Sequence, residues 1–312
     1  MKRHLQYSII FLLLFLHPEF AFPQNYLNIF NITYFYLPVV SIDGIDDNYR
    51  DYSIVTALPY KFKNGNVFGI KPQYEYISLI GENTPLLKNL HLQSLGCPVF
   101  AVIKYKNPKW SSYTEFVVNL NSDFVNIQKN QFQVGATVLF FYEKKKNFTW
   151  QFGAFFIQET FGLYPMILLG LDWKIDTKNY FSVILPAYLI YERKLNSKFY
   201  TGFEVELSGQ TYRLGGSAYE NSYISQFGQS KLSFITEPRL FLDYYIAKHI
   251  VFYIKPGWRF LQKYEQYDTH YERIKNSDYV QGQLENSFYI EGGFAFRFRY
   301  DEPTLPSDNT SR

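Results

Sequence analysis

Charged residues in the later part of the sequence recur at alternate positions between apolar ones. They are Glu204 and Glu206, then Glu237, Arg239 and Asp243, then Lys255 and Arg259, then Glu291, Arg297 and Arg299. Residues two apart share a face only in extended chain. Four such stretches lying side by side would gather these ten side chains into one patch. Enclosed by a wall, fixed charges of both signs form a constriction that discriminates among ions and small solutes. The same set, fully paired, is instead a salt-bridged filling that passes nothing. The sequence leaves both readings open.

Other residues capable of chemistry are few. His270 follows Asp268 by two positions and could act as the base of a lipid hydrolase, provided a serine came within hydrogen-bond reach. A solvated loop histidine is the plainer reading. His249, in a tight turn, and His91, ahead of an apolar stretch, read the same way. The single cysteine, Cys97, excludes a disulfide framework and a cysteine metal cluster. It lies in an apolar run, as a small buried or lipid-facing side chain would. The motifs G-x-S-x-G, H-E-x-x-H, G-x-G-x-x-G, the Walker loop and paired C-x-x-C are missing. A net charge of +3, from 31 basic and 28 acidic residues, does not suit a nucleic-acid binder. The expectation is a protein without enzymatic activity, cofactor, metal or nucleic-acid partner.

The elements that hold the charges are strands. The segment Phe288 to Tyr300, FYIEGGFAFRFRY, puts Phe288, Ile290, Phe294, Phe296 and Phe298 on one face and Glu291, Arg297 and Arg299 on the other. A helix would scatter the arginines around its circumference, whereas a strand separates two pure faces. The same alternation sets Phe252, Ile254 and Trp258 against Lys255 and Arg259, and Leu240 and Leu242 against Arg239 and Asp243. It sets Phe68, Ile70, Tyr74 and Tyr76 against Lys71, Gln73 and Glu75, and Trp150, Phe152 and Phe156 against Gln151. Aromatic residues make up 21% of the chain, with 31 Phe and 29 Tyr. That excess suits a wall facing lipid, girdled by rings at both interfaces. Most segments exceed the roughly 5–6 residues of strands in soluble proteins and reach the roughly 9–11 that cross a bilayer.

The predicted fold is all-β, an antiparallel up-and-down transmembrane β-barrel. About thirteen segments can be traced, beginning near Asn28, Tyr49, Val67, Leu92, Trp110, Gln131, Phe148, Leu163, Tyr180, Phe199, Lys231, Ile250 and Ser287. Bacterial barrels have even strand numbers, so the expectation is twelve strands, with fourteen as second choice. Connections alternate between short and long until the order slips between about 159 and 231, so either the miscount lies there or the first segment is not a wall strand. Pro59, Pro72, Pro165, Pro186, Pro238 and Pro256 fall within segments and argue for bulges or strand ends, because proline lacks a ladder donor.

Residues 1–24 read as a signal peptide, with Lys2 and Arg3 ahead of the apolar run Ile9 to Leu16 and cleavage between Ala21 and Gln24. The barrel is expected over residues 25–300 and a disordered tail over 301–312.

The run LLGLDWKIDTKNYFSVILPAYLIYERKL, with its Gly-x-x-Trp strand and its second strand ending in Leu185-Pro186, is followed by FYTGFEVELSGQTYRL. These stretches resemble an uncharacterised family of bacterial outer-membrane β-barrels of Bacteroidetes type, a domain of unknown function. The resemblance implies the fold and the cell outer membrane, reached through a cleaved signal peptide, and implies no activity. The expected partners are outer-membrane lipid and a small solute, and the oligomeric state is open. Three functions compete: a channel or transporter for a small solute, a lipid-modifying enzyme, and a non-conducting structural or surface-binding barrel.

Overall fold

A computed structural model describes residues 25–42, 45–81, 90–127, 129–159, 162–215, 223–227, 235–260, 263–268, 281–283 and 286–299. The expected signal peptide at 1–24, the expected tail at 301–312 and His270 lie outside them.

The described chain forms one closed antiparallel barrel of fourteen strands. These are β1 (Tyr26–Ile42), β2 (Ile45–Thr56 and Leu58–Lys61), β3 (Val67–Ile70 and Gln73–Gly81), β4 (Leu90–Gly96 and Val99–Lys104), β5 (Trp110–Ser122), β6 (Phe132–Lys145) and β7 (Phe148–Glu159). They continue with β8 (Gly162–Lys174), β9 (Asn179–Leu185), β10 (Tyr188–Lys194), β11 (Phe199–Ser208 and Gln210–Arg213), β12 (Tyr223–Phe227 and Ile235–Ala247), β13 (Ile250–Arg259 and Lys263–Tyr267) and β14 (Gln281–Gln283 and Ser287–Arg299). Each strand pairs with the next, and β14 closes on β1 from Tyr26 opposite Arg299 to Tyr36 opposite Ile290.

Fourteen replaces the twelve first expected and agrees with the second choice. The miscounted segment begins at Tyr180. Strands β9 and β10 have only 7 residues each and reverse direction at Pro186 and Ala187. Alternation continues through that reversal, so the pair read as one long strand. Two other prolines sit where no ladder donor is needed. Pro72 separates the two pieces of β3. Near Pro238 the β12–β13 pairing thins to Thr236 opposite Phe260 and Arg239 opposite Gly257.

Six connections lie at the end that holds Tyr26 and Arg299: 62–66, 105–109, 146–147, 175–178, 195–198 and 248–249. This is called the terminal end below. Asx geometry closes four of these turns. Asn64 accepts from the Asn66 amide, Asn107 from Lys109, and Asn196 from Lys198 and Phe199. Asp176 accepts from the Asn179 side chain, at 2.7 Å, and from the Lys178 and Asn179 amides, and these donors hold its carboxyl below the usual carboxylate range.

The outer wall is apolar and carries two bands of rings. At the terminal end Trp110 packs against Tyr142, Phe148 against Trp150, and Phe199 against Tyr244. On the other side of the apolar belt Tyr34, Tyr52 and Tyr76 form a row across β1, β2 and β3, and Trp258 meets Phe288. Between the bands Phe116, Leu240, Phe252, Ile254 and Phe294 face outward and are exposed. Exposed large apolar side chains over a whole wall mark a surface covered by lipid.

Inside, glycine makes room for rings. Gly257 lies directly opposite Tyr289, and a Cβ there would come within 2.7 Å of that ring. Gly293 lies opposite Tyr253, whose hydroxyl would be 2.3 Å from a Cβ. The Tyr253 ring therefore lies flat across β14 and bonds Thr33 at 2.7 Å and Asn31 at 3.0 Å on β1. Tyr200, Tyr245, Val251, Tyr253 and Ala295 pack as one interior cluster, and Leu139, Phe141, Leu168 and Ile184 as another.

Candidate functional site

All ten charged residues singled out in the sequence lie on the lumenal face, and ion pairs divide them into two groups. The first centres on Arg239. The register sets Glu204 of β11 beside Arg239 of β12, and Lys255 of β13 beside Glu291 of β14. Arg239 donates to Glu204 and Glu206, reaches Glu291 at 3.0 Å, and lies 3.7 Å from Glu237. Lys255 bonds Glu204 at 2.8 Å and lies 3.5 Å from Glu291. Arg259 reaches Glu237 at 2.6 Å and spreads its guanidinium over the rings of Phe35 and Tyr49. Cations and carboxylates this close, away from bulk water, satisfy one another's desolvation only as a set. Glu206 is the most open member, with its side chain 50% exposed to the lumen.

The second group lies at the terminal end. Arg297 pairs with Asp243, bonds Asn28 at 2.7 Å and covers the Tyr26 ring. Arg299 pairs with Glu192, reaches the Tyr245 hydroxyl at 3.4 Å and covers the Tyr200 ring. Glu192 escaped the sequence reading because it lies on β10, the strand merged into its neighbour.

Sequence reasoning also missed a polar group deeper in the lumen. After Ser208, β11 leaves the wall and crosses the interior, so that Arg213 pairs with Ser122 of β5, nearly across the barrel. The Thr211 carbonyl accepts from Gln133 at 3.0 Å and Asn121 at 3.3 Å, and the Thr211 hydroxyl donates to Glu159. The Tyr212 hydroxyl donates to Glu75 at 3.1 Å, and the Gly215 amide to Asp123 at 3.0 Å. The alternation of Lys71, Gln73 and Glu75 signalled an inward face. Nothing local signalled that β11 would cross to meet it.

Three adjoining cavities lie in the lumen among the described residues. One of about 380 Å³ lies between the crossing segment and β2 to β8. A second, of about 300 Å³, shares Ser53, Glu75, Gly209 and Gln210 with the first. A third, of about 330 Å³, shares Glu206, Arg239 and Glu291 with the second. The cavities thus form a string linked by shared lining residues. Neither described histidine in the barrel sits in it. His91 bonds the Tyr76 hydroxyl at 2.7 Å, and His249 packs on Phe296 and Phe298. Among the described residues no cluster of His, Cys, Asp and Glu could hold a metal ion.

The sequence pattern described as Domain of unknown function (DUF6268) matches residues 67–297. No curated protein matches the chain. Among solved structures the chain is similar to the NanC porin, at 12% identity and a TM-score of 0.40, over 86% of this chain and 98% of that one. It is similar to an outer membrane channel from Pseudomonas putida F1, at 8% identity and a TM-score of 0.44, over 87% and 96%. It is also similar to the translocator domain of the autotransporter NalP from Neisseria meningitidis, at 8% identity and a TM-score of 0.37, over 95% and 96%. A likeness of this order extends to fold alone.

Proposed function

Because the chain belongs to the DUF6268 family, a domain of unknown function, we propose from the lumen itself that it is a non-enzymatic outer-membrane channel for a small polar or charged solute. The string of three cavities carries this reading. A barrel that serves only as a scaffold has no need of roomy, polar-lined space in series along its interior. Arg239, held by Glu204, Glu206 and Glu291, stands between two of the cavities and acts as the throttle. Carboxylates and cations face each other across it, so a solute that carries either charge can exchange partners stepwise instead of crossing unpaired, as charged constrictions require. The leader at residues 1–24 would bring the chain to the outer membrane, where the apolar belt and its two bands of rings match the bilayer.

The test is conductance in a planar lipid bilayer, comparing wild type with Arg239→Gln. The shorter neutral side chain opens the throttle and leaves four carboxylates facing two cations, Lys255 and Arg259, so conductance should rise several-fold and shift toward cations. Silence from both proteins, each confirmed as folded and inserted, would remove the channel reading.

A further inference from the structure

Among the described residues the closed barrel has a gap in its wall above the β9–β10 hairpin. The hairpin of β9 and β10 pairs with β8 only from Leu169 to Lys174, and with β11 only as far as Leu207, whose amide donates to the Ala187 carbonyl. Above its tip, residues 162–168 of β8 have no partner on that side among the described residues, and β11 turns inward after Ser208. Nine to eleven residues of strand cross a bilayer, so a hairpin that covers six positions of β8 stops at membrane depth. The exposure of the wall agrees, with Leu163 at 63% and Ile167 at 74%.

The sequence accommodates this edge. The Lys174 amide donates to Asn147 on the β7 side, and the Ile175 amide to Asn179 on the β9 side. By alternation the odd residues of β8 aim their backbone groups at β9. Pro165, at one of these positions, has no amide hydrogen to leave unpaired. Open edges are not tolerated against lipid unless they line a water-filled space. The first cavity supplies that space, since Tyr164 beside the gap and Gln210 of the crossing segment behind it both line it. Its far wall carries the amides of Asn119, Asn121 and Gln133 beside Ser94 and Glu75, while Ile157 and Glu159 lie nearer the gap.

We propose that this gap is a lateral window through which the first cavity takes up or releases a small, uncharged amphipathic molecule from the bilayer. The hydrogen-bonding head lies among the amides and the apolar tail between β8 and β11. The proposal rests on the membrane-embedded reading above, but not on axial conduction.

Site-directed labelling tests it. In a Cys97→Ser background, Tyr164→Cys and Ile157→Cys place thiols beside the window, and Ser94→Cys places one on the opposite wall. The proteins, in phosphatidylcholine vesicles, are treated with a pyrene maleimide dissolved in the bilayer or with a bulky sulfonated maleimide in the water. Partition of the apolar reagent into the bilayer should make it label the two window positions about tenfold or more faster than the opposite wall. The aqueous reagent should show no such preference. Each thiol must react fully after denaturation, and each barrel must keep its heat-dependent gel mobility; Ile157→Cys serves if Tyr164→Cys does not fold. Equal labelling of all three positions by the apolar reagent, or faster labelling of the window by the aqueous one, would overturn the window. If Arg239→Gln still raised conductance, the axial channel would survive that failure. If conductance were also absent, both readings would go.

Discussion

At the scale of single residues, the charged interior was legible because a strand separates its two faces so cleanly that Arg297 and Arg299 could only point away from Phe294, Phe296 and Phe298. Sequence did not reveal the partners. Asp243 meets Arg297 because β12, β13 and β14 are neighbours in register, and Glu192 meets Arg299 from across the lumen. The Arg297–Asp243 pair is enclosed, with each side chain 2% exposed. Removing one partner leaves a buried charge, so Arg297→Met should lower unfolding stability by about 3–5 kcal/mol. Adding Asp243→Leu should restore much of that loss, because an apolar pair of similar volume carries no desolvation cost. Urea titration of the two variants would show it, and an equal loss in both would mean the pair acts through shape and not charge.

At the scale of elements, strand length and turn chemistry were readable and strand shape was not. Asn and Asp at the turns announced reversals, whereas the β9–β10 reversal was hidden in unbroken alternation. Gly293 of β14 is the floor on which the Tyr253 ring lies. A Gly293→Val substitution must therefore expel that ring and its bonds to Asn31 and Thr33, at a cost of about 1–3 kcal/mol for overpacking. In a Tyr253→Ala background the same substitution should cost less, with part of the loss remaining because a Cβ there also comes within 2.3 Å of the Ile32 carbonyl. Melting temperatures of the four proteins in this cycle decide it: additive losses would mean that the ring and the glycine do not depend on each other.

At the scale of the whole molecule, the aromatic content and the long alternating segments pointed to a lipid-facing barrel, while the inward course of β11 depends on contacts between residues 90 positions apart, as in Asn121 and Thr211. Such contacts leave no local pattern. The protein should fractionate with outer membranes and stay there through carbonate extraction. Short turns of barrels face the periplasm, so a cysteine at Asn147 should resist an impermeant reagent on intact cells while one at Asn126 reacts; the reverse pattern would invert the orientation. The ring itself carries one more consequence. Because β14 closes on β1, the pairing that completes the wall joins the two strands farthest apart along the chain. Until it forms, β1 presents a bare edge able to recruit other chains, and contacts this distant form slowly. Assembly therefore has a single, late commitment step, in which the last strand to be synthesised meets the first, and a cell must keep the chain from aggregating until that step is reached.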